Sequence, residues 1–373
     1  MISWRDPRPF DFVLLVTALS LTAYGLLLIY SGSLTTSGGA IADVLRGPVG
    51  RQLAFALVGI CACLVVSRLD YRFLAQGSVG LYFGLIAALV FVLVGGGQSE
   101  FGSTRWIEVG SIRVQPSEFG KIVIILVLAK YLSDNAERVK DLRVFLTSLA
   151  IASVPALLVF AEPDLGSASI FLFVWLGMVI MAGADMRHVL GSIGMLFAIA
   201  PFALIIVVTE YQRDRVSLFL DPASDALGRG FNILQAEISV GSGGLFGKGL
   251  THGTQTQLDY LRTQTTDYVF SVLGEELGFV GAMVLFTLFI LLLFRGLRAA
   301  SISQDIFGRM IAVGIVIFIL LQAFINIGVN IRLFPVTGIP LPFISQGGSS
   351  LVTVFIAVGL LESVIMRHRQ VSL

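Results

Sequence analysis

The sequence is short of charged residues, and this shortage limits the class of protein it can encode. Only 13% of the 373 residues are Asp, Glu, Lys or Arg, whereas 56% are hydrophobic. A soluble domain carries about 25% charged residues, so the composition excludes an ordinary soluble globular protein. The formal net charge is +1, which gives no sign of a nucleic-acid-binding surface.

Cysteine and histidine are also scarce. Cys61 and Cys63 stand two residues apart in one apolar run, so they point to different sides of a helix and cannot pair with each other. The three histidines, His188, His252 and His368, are far apart, and we predict no histidine-rich metal site. Walker, G-x-S-x-G and H-E-x-x-H motifs are absent from the sequence.

Long apolar runs are abundant. About ten of them have roughly 18 to 23 residues, which is the length that spans a hydrocarbon core. We predict an all-α polytopic membrane protein, a single domain over residues 1–373. Basic residues such as Arg68 and Arg72 lie at alternate ends of the runs, which places both termini in the cytoplasm. The runs are 10–31, 50–67, 75–95, 115–132, 144–161, 165–183, 188–208, 272–295, 307–329 and 348–366.

Two loops on the opposite side of the predicted membrane are unusually long. The first covers residues 95–121, and the second covers 209–268, between the seventh and eighth runs. Connections of this length are usually functional or disordered. The second loop is not poor in apolar residues, and residues 228–240 have the pattern of an amphipathic helix. We therefore predict a folded extracytoplasmic cap.

Two polar segments interrupt the apolar pattern near this face. Pro116 is suited to begin a helix, and Glu118 and Lys121 share a face of it. They are either a structural ion pair or the lining of a polar cavity. The second segment, residues 330–350, has three prolines and three glycines. It is either a plain turn or a broken stretch whose backbone N–H groups face an anion.

The predicted external face therefore mixes acids and bases beside a bilayer. Such a surface suits an amphiphilic substrate with an anionic head and a lipid tail. The residues alone support two classes of protein equally, an enzyme acting on a lipid-linked substrate and a transporter or flippase. The residues are Arg105, Arg113, Glu118, Lys121, Asp164, Arg213, Arg215, Lys248, Asp267 and Arg332.

Five blocks of sequence, in this order and spacing, resemble the SEDS family (shape, elongation, division and sporulation). The resemblance covers nearly the whole chain. Two further stretches, "GKGLTHGTQTQLDYL" and "NIGVNI", are more similar to the elongation branch (RodA) than to the division branch (FtsW). The five blocks are "GSTRWIEVGSIRVQPSEFGK", "EPDLGSA", "SVGSGGLFGKGL", "TTDYVFSVLGEELGFVG" and "NIGVNIRLFPVTGIPLPFISQGGSSL".

The resemblance implies a peptidoglycan glycosyltransferase in the bacterial cytoplasmic (inner) membrane. It would polymerise lipid II outside that membrane, with a class B penicillin-binding protein and the elongation machinery as partners. The essential acid of the family corresponds to Asp267, and its paired polar residues correspond to Glu118 and Lys121. Glu162 stands where the family usually has Gln. A lipid II flippase is the alternative function.

These correspondences suggest roles for particular side chains. Asp267 would be the general base that activates the acceptor hydroxyl, with inversion at the donor sugar. The leaving diphosphate needs positive charge, from protein cations or from Mg²⁺ or Mn²⁺. For Glu275 and Glu276, packing and catalysis are both open, and Asp164 is expected to cap a helix. The predicted substrate-binding residues are Glu118, Lys121, Arg113, Arg213, Arg215, Lys248, Ser345, Gly347 and Gly348.

Overall fold

The computed structural model describes most of the chain. The ends of the predicted domain, residues 1–9 and 368–373, lie outside the described residues, as do parts of the connecting loops. Within the described residues the secondary structure comprises thirteen helices and three short strands. The described residues are 10–34, 43, 47–96, 98–100, 103–110, 112–206, 210–225, 228–258, 260–261 and 263–367.

Ten of the helices are long, and they coincide with the predicted apolar runs. Eight of them are long and apolar enough to cross a membrane. Of the other two, α4 carries ionisable side chains, and α7 borders residues outside the described part. The ten are α1 (Phe12–Ser33), α2 (Pro48–Arg68), α3 (Tyr71–Phe91), α4 (Pro116–Asp134), α5 (Leu142–Ala161), α6 (Leu165–Ala182), α7 (Met186–Ile206), α11 (Val269–Ile302), α12 (Ile306–Asn330) and α13 (Gly348–Arg367).

The long helices run in alternating directions, so their ends define two ends of a bundle. We call the end where α1 begins and α13 finishes the terminal end, and the other the site end. At the terminal end the main-chain N–H of Asp11 donates to Glu362 over 3.0 Å, and Arg295 Nε donates to Asp11 over 2.7 Å. The described chain thus begins and ends on the same side, as an even number of spans requires.

Close helix packing fixes the centre of the bundle. Helix α13 lies along α2, where a Cβ at Gly359 would come within 2.7 Å of the carbonyl oxygen of Cys63. Only glycine permits this approach. Both cysteines are free thiols, Cys63 buried against α13 and Cys61 exposed, so Cys63 has the packing role expected for a buried cysteine.

The site end carries additional structure between the long helices. Three antiparallel strands, β1 (Gln98–Glu100), β2 (Ser103–Val109) and β3 (Ile112–Val114), precede α4. The sequence analysis did not predict them, although β2 contains β-branched and aromatic residues that are common in strands: Thr104, Trp106, Ile107 and Val109. The described part of the 209–268 loop contains α8 (Glu210–Leu220), α9 (Arg229–Ser242) and the short α10 (Thr254–Gln257). Helix α9 is the predicted amphipathic helix.

Helix α11 is broken near the site end, and the loop pairs with it at the break. Gly278 has φ of 63°, a conformation that favours glycine. The main-chain N–H of Phe279 donates to Gly244 over 2.9 Å, and that of Lys248 donates to Glu275 over 2.9 Å. The break therefore frees backbone groups of α11 that fasten the loop to the bundle.

Candidate active site

Asp267 lies at the site end, directly before helix α11. It is half-buried, and the positive end of the α11 dipole favours a negative charge at this position. Its main-chain carbonyl accepts hydrogen bonds from the side-chain amides of Asn330 (2.9 Å) and Asn326 (3.3 Å), both on α12. Its main-chain N–H donates to Thr263 over 3.1 Å. The backbone of Asp267 is thus fixed from both sides.

The charges of Arg105, Asp164 and Arg215 act on Asp267, and Glu162 interacts with Arg105 and Asp164. We call these five residues the charged cluster: Arg105, Glu162, Asp164, Arg215 and Asp267. Arg105, on β2, lies 3.7 Å from Asp164 and donates to the carbonyl of Glu162. Arg215, on α8, donates to the carbonyl of Val336 over 2.9 Å. The cluster therefore joins β2, the α5–α6 turn, α8 and the segment before α11.

The environment raises the pKa of Asp267 above the ordinary range of an aspartate. Burial is the main cause, and the negative charge of Asp164 adds to it. The nearby guanidinium groups of Arg215 and Arg105 oppose the rise. A raised pKa makes the carboxylate a stronger base, which suits proton abstraction.

Glu162 is the least satisfied member of the charged cluster. Its residue is 1% exposed, and neither carboxyl oxygen has a hydrogen-bond partner among the described residues. Burial raises the pKa of Glu162 to about 8; Asp164 adds to the rise and Arg105 opposes it. Because a buried carboxylate without partners is costly, this group stays protonated at neutral pH.

Glu162→Gln is expected to remove a pH dependence of stability. In the folded state the Glu162 carboxyl keeps its proton up to about pH 8. The contribution of this protonated group to the free energy of unfolding is therefore fully present below the pKa of the unfolded chain and is lost as the pH rises through 8. Glutamine stays neutral, so thermal unfolding of this variant in detergent should occur a few degrees above wild type at pH 8.5 and near wild type at pH 5. The exposed Glu137→Gln is the matched control, and equal melting curves for Glu162→Gln and wild type at both pH values would contradict the assignment.

Asp164 caps helix α6, as expected. Its side chain accepts hydrogen bonds from the main-chain N–H of Ser167 (3.0 Å) and from the Ser167 hydroxyl (2.9 Å). Such a cap satisfies a donor that the first turn of a helix otherwise leaves unpaired. Asp164 also faces Arg105, so the same carboxylate caps the start of α6 and contributes charge to the site.

Glu118 and Lys121 form a buried ion pair in the first turns of α4. Lys121 Nζ lies 2.6 Å from Glu118 Oε1 and also donates to Gln322 over 3.3 Å. Their side chains are 3% and 0% exposed, respectively. In this structure the pair is closed off from solvent, and within the described residues no hydrogen bond or ion pair joins it to Asp267. Substrate binding by Glu118 and Lys121 therefore stays a prediction.

Three other predicted substrate-binding cations have separate positions. Arg113, on β3, is exposed and lies 3.2 Å from Glu108. Arg213 is exposed on α8, two residues before Arg215. Lys248 donates to Glu275 over 2.8 Å. Of the predicted substrate-binding cations, Arg215 is close enough to Asp267 for their charges to interact. Substrate contacts by the other cations stay predictions.

Glu275 and Glu276 hold the loop to α11. The Glu275 carboxylate is fully buried. It accepts hydrogen bonds from Lys248, from the hydroxyls of Thr254 and Thr256, and from two main-chain N–H groups of α10. Glu276 accepts from Ser31 on α1 over 2.6 Å. These contacts give both acids a structural role, which was one of the two interpretations of the sequence.

The proline-rich segment between α12 and α13, residues 331–347, is partly exposed at its start and buried over residues 341–345. Ser345 Oγ donates to the carbonyl of Thr266 over 2.6 Å, beside Asp267. The N–H of Gly347 donates to Gln52 over 3.1 Å, and a Cβ at Gly348 would meet the ring of Phe55. Ser345 and Gly347 therefore hold the segment in place, and anion binding by this stretch stays a prediction.

Three functional candidates were missed by the sequence analysis: Gln322, Asn326 and Asn330, on α12. They are buried, and two of them bind the carbonyl of Asp267. Their spacing of four residues was a usable signal, since it puts three amides on one face of an apolar helix.

A metal centre built by the protein alone is not evident. In the part of the chain that the structure describes, no three His, Cys, Asp or Glu side chains are grouped as metal ligands. Asp164 and Asp267 are close enough for their charges to interact. Mg²⁺ is commonly held by one or two carboxylates together with substrate phosphates, and a cation that arrives with the substrate stays a prediction.

Fold and site together define a helical membrane protein with several spans and an acid set beside arginines at one end of the bundle. Residues 11–370 match the cell cycle proteins FtsW, RodA and SpoVE, and the chain belongs to this family. This confirms the resemblance to the SEDS family.

Relatives match along nearly their whole length. The chain is 38% identical to the probable peptidoglycan glycosyltransferase FtsW of Trichlorobacter lovleyi, over 95% of this chain and 93% of the relative. It is 38% identical to the stage V sporulation protein E of Bacillus subtilis, over 95% and 96%. It is 35% identical to the peptidoglycan glycosyltransferase MrdB of Escherichia coli, over 98% and 96%.

Solved structures share the fold. A chain from a study titled "Structural coordination of polymerization and crosslinking by a peptidoglycan synthase complex" superposes with a TM-score of 0.82 at 27% identity, covering 97% of this chain and 99% of that one. The rod shape determining protein RodA of Thermus thermophilus superposes with a TM-score of 0.69 at 28% identity, covering 98% of both chains.

Proposed function

We propose that this protein is a peptidoglycan glycosyltransferase that polymerises lipid II, with Asp267 as its general base. The observation that carries the proposal is the placement of Asp267, half-buried and beside Arg215 and Arg105 at one end of the bundle. The family and the names of its relatives support the same activity.

The reaction joins two lipid-linked sugars. Asp267 accepts the proton of the 4-hydroxyl of the acceptor sugar, and that oxygen bonds to the anomeric carbon of the donor. The bond from this carbon to the diphosphate oxygen breaks, and the lipid diphosphate leaves as an anion that needs no proton. One carboxylate therefore suffices, and attack in line inverts the anomeric configuration.

Positive charge must stabilise the leaving diphosphate. Arg215 and Arg105 are the cations whose charges reach Asp267, and guanidinium groups bind phosphate oxygens well. Lys121, Arg113 and Arg213 are further candidates if the substrate extends toward them. Mg²⁺ or Mn²⁺ carried by the substrate would neutralise the same charge.

We assign the site end to the outer face of the bacterial inner membrane. Basic residues such as Arg68, Arg72, Arg295 and Arg309 lie at the terminal end, which the positive-inside rule places in the cytoplasm. A class B penicillin-binding protein is the proposed partner, because the neighbouring structure comes from a complex that couples polymerisation and crosslinking.

We further propose that this protein belongs to the elongation branch of the family. The FtsW and sporulation relatives are 38% identical to this chain and MrdB is 35% identical. Overall identity therefore does not favour the elongation branch, and the proposal rests on two stretches of sequence. One contains Lys248 and the Thr254–Gln257 helix that bind Glu275, and the other contains Asn326 and Asn330. The test is to express this protein in bacteria depleted of their own elongation protein or of their own division protein. We expect it to restore rod shape after loss of the elongation protein. Rescue of division alone would reverse the assignment.

One assay separates the polymerase from the alternative, a lipid II flippase. Purified protein is incubated with lipid II in detergent, with and without its partner, and glycan strands are resolved on a gel. Detergent removes the need for transport, so polymer means chemistry. We expect polymer, and its loss with EDTA and return with Mg²⁺ or Mn²⁺ would support a cation. Absence of polymer under all conditions, with lipid II translocation in vesicles, would favour the flippase.

A further inference from the structure

Helix α12 carries three buried amides on one face, which we call the amide ladder: Gln322, Asn326 and Asn330. They are 0%, 2% and 1% exposed, respectively. Between Met310 and Val329, all residues apart from Gln322 and Asn326 are apolar or glycine. A buried amide without partners costs about 1–3 kcal/mol, and polar groups within membrane spans are usually functional. The partners of the ladder therefore indicate what it does.

Asn330 holds the start of α11 and the backbone of Asp267 together. Its Nδ2 donates to the carbonyl of Asp267 (2.9 Å), and its Oδ1 accepts from the main-chain N–H (3.0 Å) and hydroxyl (2.8 Å) of Ser271. The residue that precedes α11, Tyr268, provides no side-chain cap. Asn330, on the neighbouring helix α12, thus caps the first turn of α11 and also holds the main-chain carbonyl of the proposed base.

Asn326, one turn earlier, ties the same backbone to the proline-rich segment. Its Nδ2 donates to the carbonyl of Ile339 over 2.8 Å and to that of Asp267 over 3.3 Å. Its own carbonyl accepts from Asn330 Nδ2 over 2.9 Å. The side-chain amides of Asn326 and Asn330 thus both bind the main-chain carbonyl of Asp267 and together restrict its movement.

Gln322 extends the ladder to the ion pair of α4. Its Nε2 donates to the carbonyl of Pro340 over 2.8 Å, and its Oε1 accepts from Lys121 over 3.3 Å. Pro340 follows Ile339, so successive rungs of the ladder bind successive carbonyls of the same segment. The ladder is the physical connection between Lys121 and the backbone of Asp267.

We propose that Asn330 and Asn326 are positioning residues of the glycosyl transfer, which set the main chain of Asp267 and thereby the reach of its carboxylate. The inference rests on the proposed function and goes beyond it, since neither amide touches the substrate. A base misplaced by about 1 Å loses roughly 10²-fold in rate. The acceptor oxygen must lie within hydrogen-bond reach of the base, so a tilt of this backbone directly lowers the rate.

Asn330→Asp is the sharpest test, because it keeps the size of the side chain and an acceptor for Ser271 but replaces the donor to Asp267 with an oxygen. We expect kcat for lipid II polymerisation in detergent to fall about 10- to 100-fold, with KM little changed. Asn326→Ser removes the longer of the two bonds to the Asp267 carbonyl, together with the bond to Ile339, and should lower kcat less. Asn135→Asp, at the terminal end where the amide donates to Tyr131, is the matched control and should keep the wild-type rate.

A double variant separates positioning from general damage. If Asn330 acts through the carboxylate of Asp267, then Asn330→Asp should change the residual rate of Asp267→Asn less than threefold, since the base is already absent. An equal fold loss in both backgrounds, or a raised KM with unchanged kcat, would overturn the inference. If Asn330→Asp does not elute as folded protein, Asn326→Ser takes its place in the same cycle. Wild type without polymer, or full activity of Asp267→Asn, would instead refute the proposed function.

Discussion

Asp267→Asn is expected to lower the rate of lipid II polymerisation by about 10²- to 10⁴-fold, the usual effect of losing a general base. Asparagine matches the shape of aspartate but cannot accept the proton of the attacking hydroxyl. The bonds that fix this residue use its main-chain carbonyl and N–H, so they survive the change. Initial rates measured on purified protein in detergent, with kcat and KM separated, provide the measurement.

The control for this variant is Asp134→Asn. Asp134 is an exposed carboxylate at the terminal end of α4, paired with Lys130, and its removal should leave the rate within twofold of wild type. Both variants should reach the membrane in normal amounts. Polymerisation by Asp267→Asn at a near wild-type rate would remove Asp267 from the role of base.

The pH dependence of the wild-type rate gives an independent check of the same residue. Asp267 must be ionised to act, and burial raises its pKa. The rate should therefore increase with pH through a midpoint above the ordinary aspartate value of about 3.9. A profile that is flat down to pH 4 would argue that another group accepts the proton.

The long helices were predictable because each needs only a local signal. Runs of apolar residues with the length of a bilayer mark them regardless of their neighbours, and Pro116 marks the start of α4. The strands β1–β3 were missed, since short strands with polar faces give a weak signal beside long apolar runs. The break of α11 at Gly278 was missed as well, because it depends on pairing with a loop about 30 residues earlier in the chain.

The site was predictable only in part, for a related reason. Asp267 was found through a motif, and the cap role of Asp164 follows from its place before α6. The pairing of Lys248 with Glu275 depends on the fold of the 209–268 loop and has no local signature. The contact of Asn330 with Asp267 joins residues 63 positions apart, so spacing on α12 could suggest the ladder but not its target.

Lys121→Met is expected to have the second large effect, on folding as well as on activity. It leaves the Glu118 carboxylate buried without its cation, and breaking a buried ion pair costs about 3–5 kcal/mol. Lys121 Nζ also lies 5.5 Å from the ring centre of Phe318 and donates to Gln322. We expect little folded protein in the membrane and a clear drop in its melting temperature, as measured by gel filtration and thermal unfolding in detergent.

Lys130→Met is the matched control, because Lys130 lies on the same helix and pairs with Asp134 over 2.6 Å with both side chains exposed. Exposed pairs contribute about 0–1 kcal/mol, so this variant should fold normally. Normal folding and melting of Lys121→Met would mean that the buried pair is not needed for stability.

The double variant Glu118→Gln with Lys121→Met separates structure from substrate binding. Removing both charges leaves no unpaired charge in the bundle, so folded protein should return to near wild-type amounts. If Lys121 also stabilises the leaving diphosphate, this folded variant should still polymerise lipid II at least about 10-fold more slowly than wild type, since charge stabilisation is worth 10²–10³-fold in comparable sites. A wild-type rate in the folded double variant would reduce the pair to a structural role and leave Arg215 and Arg105 as the cations beside Asp267.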